Sequence, residues 1–270
     1  MFFFKKILKR LFSLMGYRLI KEDLTRTYQL DLVKESRKNV AIVKQYTMLS
    51  FLKLSTLYEQ AVFFEKNQLE GAFVECGVWK GGAIGMMALA NLQHGKKRRS
   101  IYLFDSFDDI CEPDPVIDGK VAVQDVEQLF GKKVENLTGE LKPLKGIYDS
   151  RGGHGTIEIC KELLLSKIGY DSDFLHFHKG WFQDSLPKAI DQIDKIAILR
   201  LDADWYSSTK VCLDFLFEKV ISGGIIIIDD YGRYDGCKKA VDEFLSEKKI
   251  NTFLNYANYH VGECRYFVKT

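Results

Sequence analysis

The sequence predicts an α/β protein with a mostly parallel sheet that is covered by helices on both faces. From residue 71 onward, short apolar segments alternate with helical patterns, as they do in strand–helix–strand units. Two of these segments, "IAIL" at 196–199 and "IIII" at 225–228, contain no polar residue. Such strands are typical of the centre of a sheet whose two faces are both buried.

The predicted elements follow one another in a regular order. Residues 22–70 have a mostly helical pattern, and residues 110–153, which hold three of the four prolines, are expected to be irregular. Strands are predicted at 71–77, 100–107, 173–182, 195–202 and 223–232, with a terminal strand pair within 251–256 and 263–270. Helices are predicted between them at 81–95, 156–170, 208–221 and 237–250.

The composition is that of a globular protein. The chain has 270 residues, of which 46% are hydrophobic and 28% charged, and its net charge of +2 gives no sign of a nucleic-acid partner. The six cysteines are scattered without a C-x-x-C pair, so we expect free thiols and no zinc site. Because the sequence has neither a convincing secretion signal nor an 18-residue apolar run, it favours a cytoplasmic location.

Residues 1–45 are interpreted as a basic helical arm, and residues 46–270 as a domain with a long insert at about 110–153. Residues 1–21 contain six basic and no acidic residues, and apolar residues recur between residues 2 and 15 at spacings of three and four. This pattern predicts an amphipathic helix. It would contact either the inner face of an anionic membrane or protein, including a second subunit of a homo-oligomer.

Carboxylates follow four of the five predicted parallel strands. In an open α/β sheet, ligands bind outside the carboxyl ends of the strands. Helix capping explains one such carboxylate but explains the whole set poorly. The strand-end carboxylates are Glu75, Asp105, Asp202, Asp204, Asp229 and Asp230.

The turn after the first strand, "ECGVWKGG" at 75–82, has neither the P-loop nor the dinucleotide-binding glycine pattern. Gly77 and Gly81 let a ligand approach the backbone, and the following helix N-terminus favours a carboxylate. Glu75 would suit a ligand amine, and Asp105 is placed to accept hydrogen bonds from both ribose hydroxyls. An amine, a carboxylate and a nucleoside together describe S-adenosylmethionine. The alternative is a glycine-rich turn without a ligand.

Asp202, Asp229 and Asp230 are expected to converge, and three carboxylates at one point need a cation. Oxygen ligands favour Mg²⁺, Mn²⁺ or Ca²⁺ over zinc. Asp229 and Asp230 can share the ion only if the strand has already turned, since adjacent strand residues point to opposite faces. Asp202 or a histidine could accept a proton from a metal-bound hydroxyl. His154 is either that base or a loop histidine.

Several stretches, taken together, resemble the macrocin O-methyltransferase (TylF-like) family over roughly residues 46–245. They are "YTMLS" at 46–50, "GAFVECGVWKGG" at 71–82, "LFDSF" at 103–107, "KGWFQDSLP" at 179–187, "LRLDADWYSSTK" at 199–210, "GGIIIIDDYG" at 223–232 and "CKKAVDEF" at 237–244. The resemblance implies a Rossmann-like class I methyltransferase fold with seven strands and an N-terminal helical arm. It also implies that S-adenosylmethionine and Mg²⁺ are cofactors.

The resemblance assigns the site residues. Asp202, Asp229 and Asp230 fall on the metal positions, while Asp204 is expected to support them or to cap a helix. Thr47 would lie in a helical segment that closes over the cofactor. The residues expected around the cofactor are Thr47, Glu75, Gly77, Gly81, Asp105, Ser106, Gly180, Trp181 and Phe182.

The function implied is methyl transfer to a hydroxyl of a sugar or glycoconjugate. The insert at 110–153 and the basic N-terminus depart from the family pattern, so the identity of the acceptor stays open. The alternatives are methylation of a catechol-like or other vicinal diol, and a non-catalytic partner of a glycosyltransferase that binds S-adenosylmethionine. A nicotinamide oxidoreductase is disfavoured by the missing glycine fingerprint.

Overall fold

A computed structural model describes residues 30–257 and 263–270, and the amphipathic segment expected in residues 2–15 lies outside them. Ser36–Thr270 form one compact unit. The helices are α1 (Leu30–Val43), α2 (Phe51–Lys66), α3 (Gly82–His94), α4 (Gly119–Phe130), α5 (Ile157–Lys161), α6 (Phe182–Ala189), α7 (Tyr206–Leu216) and α8 (Asp235–Glu247). The strands are β1 (Ala72–Cys76), β2 (Ile101–Asp105), β3 (Leu175–Lys179), β4 (Ile196–Leu201), β5 (Val220–Ile228), β6 (Asn255–Tyr256) and β7 (Arg265–Val268).

The seven strands form one sheet in the order β3-β2-β1-β4-β5-β7-β6. Strands β1 to β5 are parallel, and β7 runs antiparallel to both of its neighbours. The predicted mostly parallel sheet and the terminal strand pair are therefore confirmed. The order reverses between β1 and β4, which makes the carboxyl ends of these strands the expected ligand position.

Burial explains the apolar strands. Every residue of β1 and β4 is buried, as expected for central strands with helices on both faces. Helix α3 is apolar on all sides and is buried from Gly82 to Asn91. A helix without a polar face needs such an enclosed position.

Two local expectations were wrong. The segment 110–153 contains helix α4, in which Ala122 and Val126 are buried one turn apart and Gly131 ends the helix with φ of +66°. Thr47 lies in an extended stretch between helical segments, where its hydroxyl accepts a hydrogen bond from Leu49 N.

All six cysteines are buried and free, as the sequence predicted. None of the described helices has the length and the apolar character needed to cross a membrane.

Candidate active site

The turn after β1 is held against the ends of the neighbouring strands. Gly77 has φ of +87°, and a Cβ atom there would lie 1.8 Å from the carbonyl oxygen of Asp202, so only glycine fits. Asp105 Oδ2 accepts hydrogen bonds from the backbone N–H groups of Val78 (2.6 Å) and Trp79 (2.9 Å), and Oδ1 accepts one from Phe107 (2.6 Å). Asp105 therefore holds the turn in place, and its Oδ1 also lies 3.5 Å from the Ser106 hydroxyl, which can donate to it.

A cavity of about 680 Å³ opens at the carboxyl ends of β1 to β5. This volume is within the range of small-molecule sites. The expected site residues that line it are Gly77, Asp105, Ser106, Gly180, Trp181, Phe182, Asp202, Asp229 and Asp230. Four others, Thr47, Glu75, Gly81 and His154, are not among its lining residues.

Glu75 lies in the sheet below the cavity and is paired with Arg200 of β4. The guanidinium group of Arg200 is 2% exposed and donates to Glu75 Oε1, to Asp202 Oδ2 (2.9 Å) and to Asp229 Oδ1 (2.6 Å). Burial raises the pKa of Glu75 to about 8, against the lowering effect of Arg200. The first contact of Glu75 is thus an arginine of this chain, in place of the expected ligand amine.

Asp229 is neutralised by a second cation, Lys53 of α2. Lys53 Nζ lies 2.6 Å from Asp229 Oδ2 and 3.6 Å from Glu263 Oε2. Burial acts to raise the pKa of Asp229, but Arg200 and Lys53 lower it below its usual value. Two protein cations therefore already balance the carboxylate that was expected to help hold a metal.

Three of the strand-end carboxylates form a group, which we call the carboxylate cluster: Asp202, Asp204 and Asp230. One oxygen of each lies within 4.8 Å of the others. Asp230 Oδ2 is buried without a hydrogen-bond partner among the described residues. Burial raises the pKa values of Asp204 and Asp230 well above their usual range, and neighbouring carboxylates raise them further. Asp204 also has the uncommon φ of +57°.

The carboxylate cluster differs from the expected set because Asp204 takes the place of Asp229. An orphaned carboxylate oxygen and an all-oxygen donor set fit Mg²⁺. Asp229 and Asp230 lie in the turn that follows β5, and they have different surroundings.

His154 lies beside another acidic pair, near the start of α5. His154 Nδ1 is 3.7 Å from Asp109 Oδ1, and the neighbouring Asp108 is paired with Lys145. Asp109 Oδ2 also accepts a hydrogen bond from Gly146 N at 2.8 Å. His154, Asp108 and Asp109 each offer a possible ligand atom within 4.8 Å of the others, beside the cavity.

Sequence reasoning missed the two cations Arg200 and Lys53. Arg200 is visible as a charge inside an otherwise apolar strand, a position where arginine needs carboxylate partners. Lys53 gave no such signal, because its partner Asp229 lies 176 residues away.

The comparison with protein families identifies the chain. The model of the macrocin O-methyltransferase (TylF) family matches residues 15–136 and 161–265. Demethyldecarbamoylnovobiocin O-methyltransferase of Streptomyces niveus is 30% identical over 227 residues, which cover 83% of this chain and 76% of that protein. Mycinamicin III 3''-O-methyltransferase of Micromonospora griseorubida is 24% identical, over 76% of this chain and 72% of that protein.

Solved structures agree with this relationship. The O-methyltransferase NovP superposes with a TM-score of 0.64 at 28% identity, over 83% of this chain and 82% of that chain. A calicheamicin methyltransferase superposes with a TM-score of 0.55 at 17% identity, over 93% and 98% of the two chains, and so supports the fold. The expected class I methyltransferase fold is confirmed, and the chain belongs to the macrocin O-methyltransferase (TylF) family of O-methyltransferases.

Proposed function

We propose that this enzyme transfers the methyl group of S-adenosylmethionine to a hydroxyl of a sugar in a glycosylated acceptor, with Mg²⁺ held by the carboxylate cluster. The proposal rests on one observation: the same cavity is lined by the carboxylate cluster and by residues of the turn that Asp105 holds in place. The sugar is supported by a relative whose name specifies a rhamnosyl group, a 4'-O-methyltransferase of Streptomyces olivaceus that is 28% identical over 74% of this chain and 67% of that protein.

The residues beside Asp105 suit the nucleoside part of the cofactor. Gly77 puts no side chain at the start of the turn, and Asp105 and Ser106 line the same cavity. Trp181 and Phe182, which follow β3, add aromatic surface to the cavity. These groups would bind and orient the cofactor, and none of them would take part in a chemical step.

The carboxylate cluster suits the acceptor hydroxyl. When bound, S-adenosylmethionine supplies an electrophilic methyl group and the divalent ion lowers the pKa of the hydroxyl. Carboxylate oxygens of Asp202 and Asp204 are then available to accept the hydroxyl proton. Arg200 keeps Asp202 in place through its hydrogen bond of 2.9 Å. Catalysis thus depends mainly on positioning.

The test is methyl transfer from labelled S-adenosylmethionine to a panel of neutral 4-nitrophenyl glycosides, with Mg²⁺ or with EDTA. We expect transfer to at least one glycoside, and a loss of at least about 1000-fold in EDTA or in the Asp202→Asn, Asp230→Asn variant. Asp214→Asn, which changes only an exposed i,i+4 ion pair with Lys210 on α7, is the matched control.

The outcomes separate the parts of the proposal. Undiminished transfer in EDTA would overturn the role of the metal. Transfer to catechols but to no glycoside would overturn the sugar as acceptor.

A further inference from the structure

The family model leaves residues 137–160 unmatched, yet this segment forms part of the cavity wall. A wall that the family pattern does not specify is a natural place for acceptor selection. The residues that the segment contributes are Leu141, Ile147, Tyr148, Ser150 and Arg151.

The backbone around Tyr148 is fixed from two sides. Lys80, in the turn after β1, donates from Nζ to the carbonyl oxygens of Arg151 (3.1 Å) and Gly152 (2.9 Å). The carbonyl oxygen of Tyr148 itself accepts hydrogen bonds from the backbone N–H groups of Arg151 (2.8 Å) and Gly153 (2.9 Å). Tyr148 therefore has a defined position, although it lies in a loop.

The hydroxyl of Tyr148 differs from those of most other tyrosines in the described part of the chain. Each of seven others takes part in a hydrogen bond within the protein; these are Tyr46, Tyr58, Tyr102, Tyr170, Tyr206, Tyr231 and Tyr234. No described residue accepts a hydrogen bond from the Tyr148 hydroxyl, and the residue is half-buried in the cavity wall. The hydroxyl is therefore available to bond a ligand in the cavity.

The surroundings of Tyr148 place it at the junction of the two parts of the cavity. Its ring lies 6.4 Å from the ring of Trp79, in the turn after β1. Besides burial, the carboxylates of Asp204, Asp105 and Asp202 act to raise the pKa of Tyr148. Tyr148 therefore lines the same cavity as Asp105, Asp202 and Asp204, and its hydroxyl is hydrogen-bonded to none of them.

We propose that Tyr148 is an acceptor-binding residue, whose hydroxyl donates a hydrogen bond to the sugar oxygen next to the hydroxyl that is methylated. This inference rests on the proposed function. A site built to bond a substrate oxygen discriminates strongly against the analogue that lacks it. Tyr148 thus selects sugars that carry an oxygen beside the reacting hydroxyl.

The experiment compares the glycoside that the wild-type enzyme methylates best with its monodeoxy analogues, using wild type and Tyr148→Phe. For the complete glycoside, we expect kcat/KM of Tyr148→Phe to fall about 10- to 100-fold. For the analogue that lacks the neighbouring oxygen, the two proteins should agree within about threefold. The affinity for S-adenosylmethionine, measured by calorimetry, should change less than about twofold, which also verifies the fold of the variant.

Tyr206→Phe is the matched control, because it removes a hydroxyl that bonds Glu243 (2.7 Å) and that does not line the cavity. It should keep the wild-type discrimination between the two glycosides. Equal losses of Tyr148→Phe on both glycosides, or a large loss of cofactor affinity, would overturn the inference while leaving the proposed function intact. If wild type methylates no glycoside, the proposed function fails and the inference fails with it.

Discussion

The two ends of the cavity hold their carboxylates in opposite ways. At the end of β2, Asp105 accepts hydrogen bonds from three backbone N–H groups. At the ends of β4 and β5, the carboxylate cluster brings Asp202, Asp204 and Asp230 together with an unpartnered oxygen on Asp230. A carboxylate directly after a strand thus holds a turn in place at Asp105, whereas at Asp230 it leaves an oxygen without a hydrogen-bond donor.

Asp229 and Asp230 show that this difference depends on tertiary neighbours. Asp229 faces Arg200 and Lys53, and its pKa is lowered. Asp230, the next residue, is buried, and burial together with the charge of Asp204 raises its pKa. Carboxylates that lack donors are destabilising for the folded state unless a proton or a cation joins them. They are therefore the better candidates for a function.

The largest contrast should be in stability. Asp105→Ala would leave the backbone N–H groups of Val78, Trp79 and Phe107 without acceptors, so we expect the free energy of unfolding to fall by about 2–3 kcal/mol. Asp230→Asn removes one of several mutually repelling charges, so the metal-free protein should be unchanged or stabilised. Urea denaturation of both variants without divalent ions measures the difference.

If Asp230→Asn destabilises the metal-free protein as much as Asp105→Ala does, the two carboxylates do not differ in their contribution to stability. The isosteric Asp105→Asn is a control, because its amide oxygen can still accept some of these hydrogen bonds. It should lie between wild type and Asp105→Ala.

A pH effect should follow from the carboxylate cluster. Because the pKa values of Asp204 and Asp230 are raised in the folded protein, their contribution to stability is present below the usual value of 3.8 and is lost as the pH rises through the raised values. Mg²⁺ binds the deprotonated form. We therefore expect about 10 mM Mg²⁺ to raise Tm less at an acidic pH than at an alkaline pH, where the shift should reach several degrees.

Thermal unfolding of wild type and Asp230→Asn with Mg²⁺ or EDTA checks this effect. The variant should lose most of the Mg²⁺-dependent shift at the higher pH. A shift that is equally large at both pH values would mean that the ion binds elsewhere.

Much of the fold was predictable, because apolar strands such as β4 and helices with regular apolar spacing are local patterns. The carboxylates of the cavity were predictable for the same reason, since each follows a strand directly. Their partners were not: Arg200 meets Glu75 across 125 residues of sequence, and Lys53 meets Asp229 across 176. Helix α4 was missed although Ala122 and Val126 have helical spacing, because the prolines of its segment suggested irregular structure.

The smallest expected effect concerns His154, which the sequence offered as a general base. The histidine does not line the cavity, and Asp109 lies 3.7 Å from its Nδ1 atom. We therefore expect His154→Gln to lower kcat by less than about threefold and to leave the pH profile of kcat unchanged. Steady-state kinetics across the pH range measures both.

A different result would make His154 the general base in place of the carboxylate cluster. If His154→Gln lowers kcat by about 100-fold or more and removes one limb of the pH profile, the histidine reaches the acceptor during turnover. Asp202 and Asp204 would then hold the cation and would not accept the proton. A small effect instead leaves proton transfer with Asp202 and Asp204, which follow β4: Arg200 holds Asp202 through a hydrogen bond of 2.9 Å, and burial raises the pKa of Asp204.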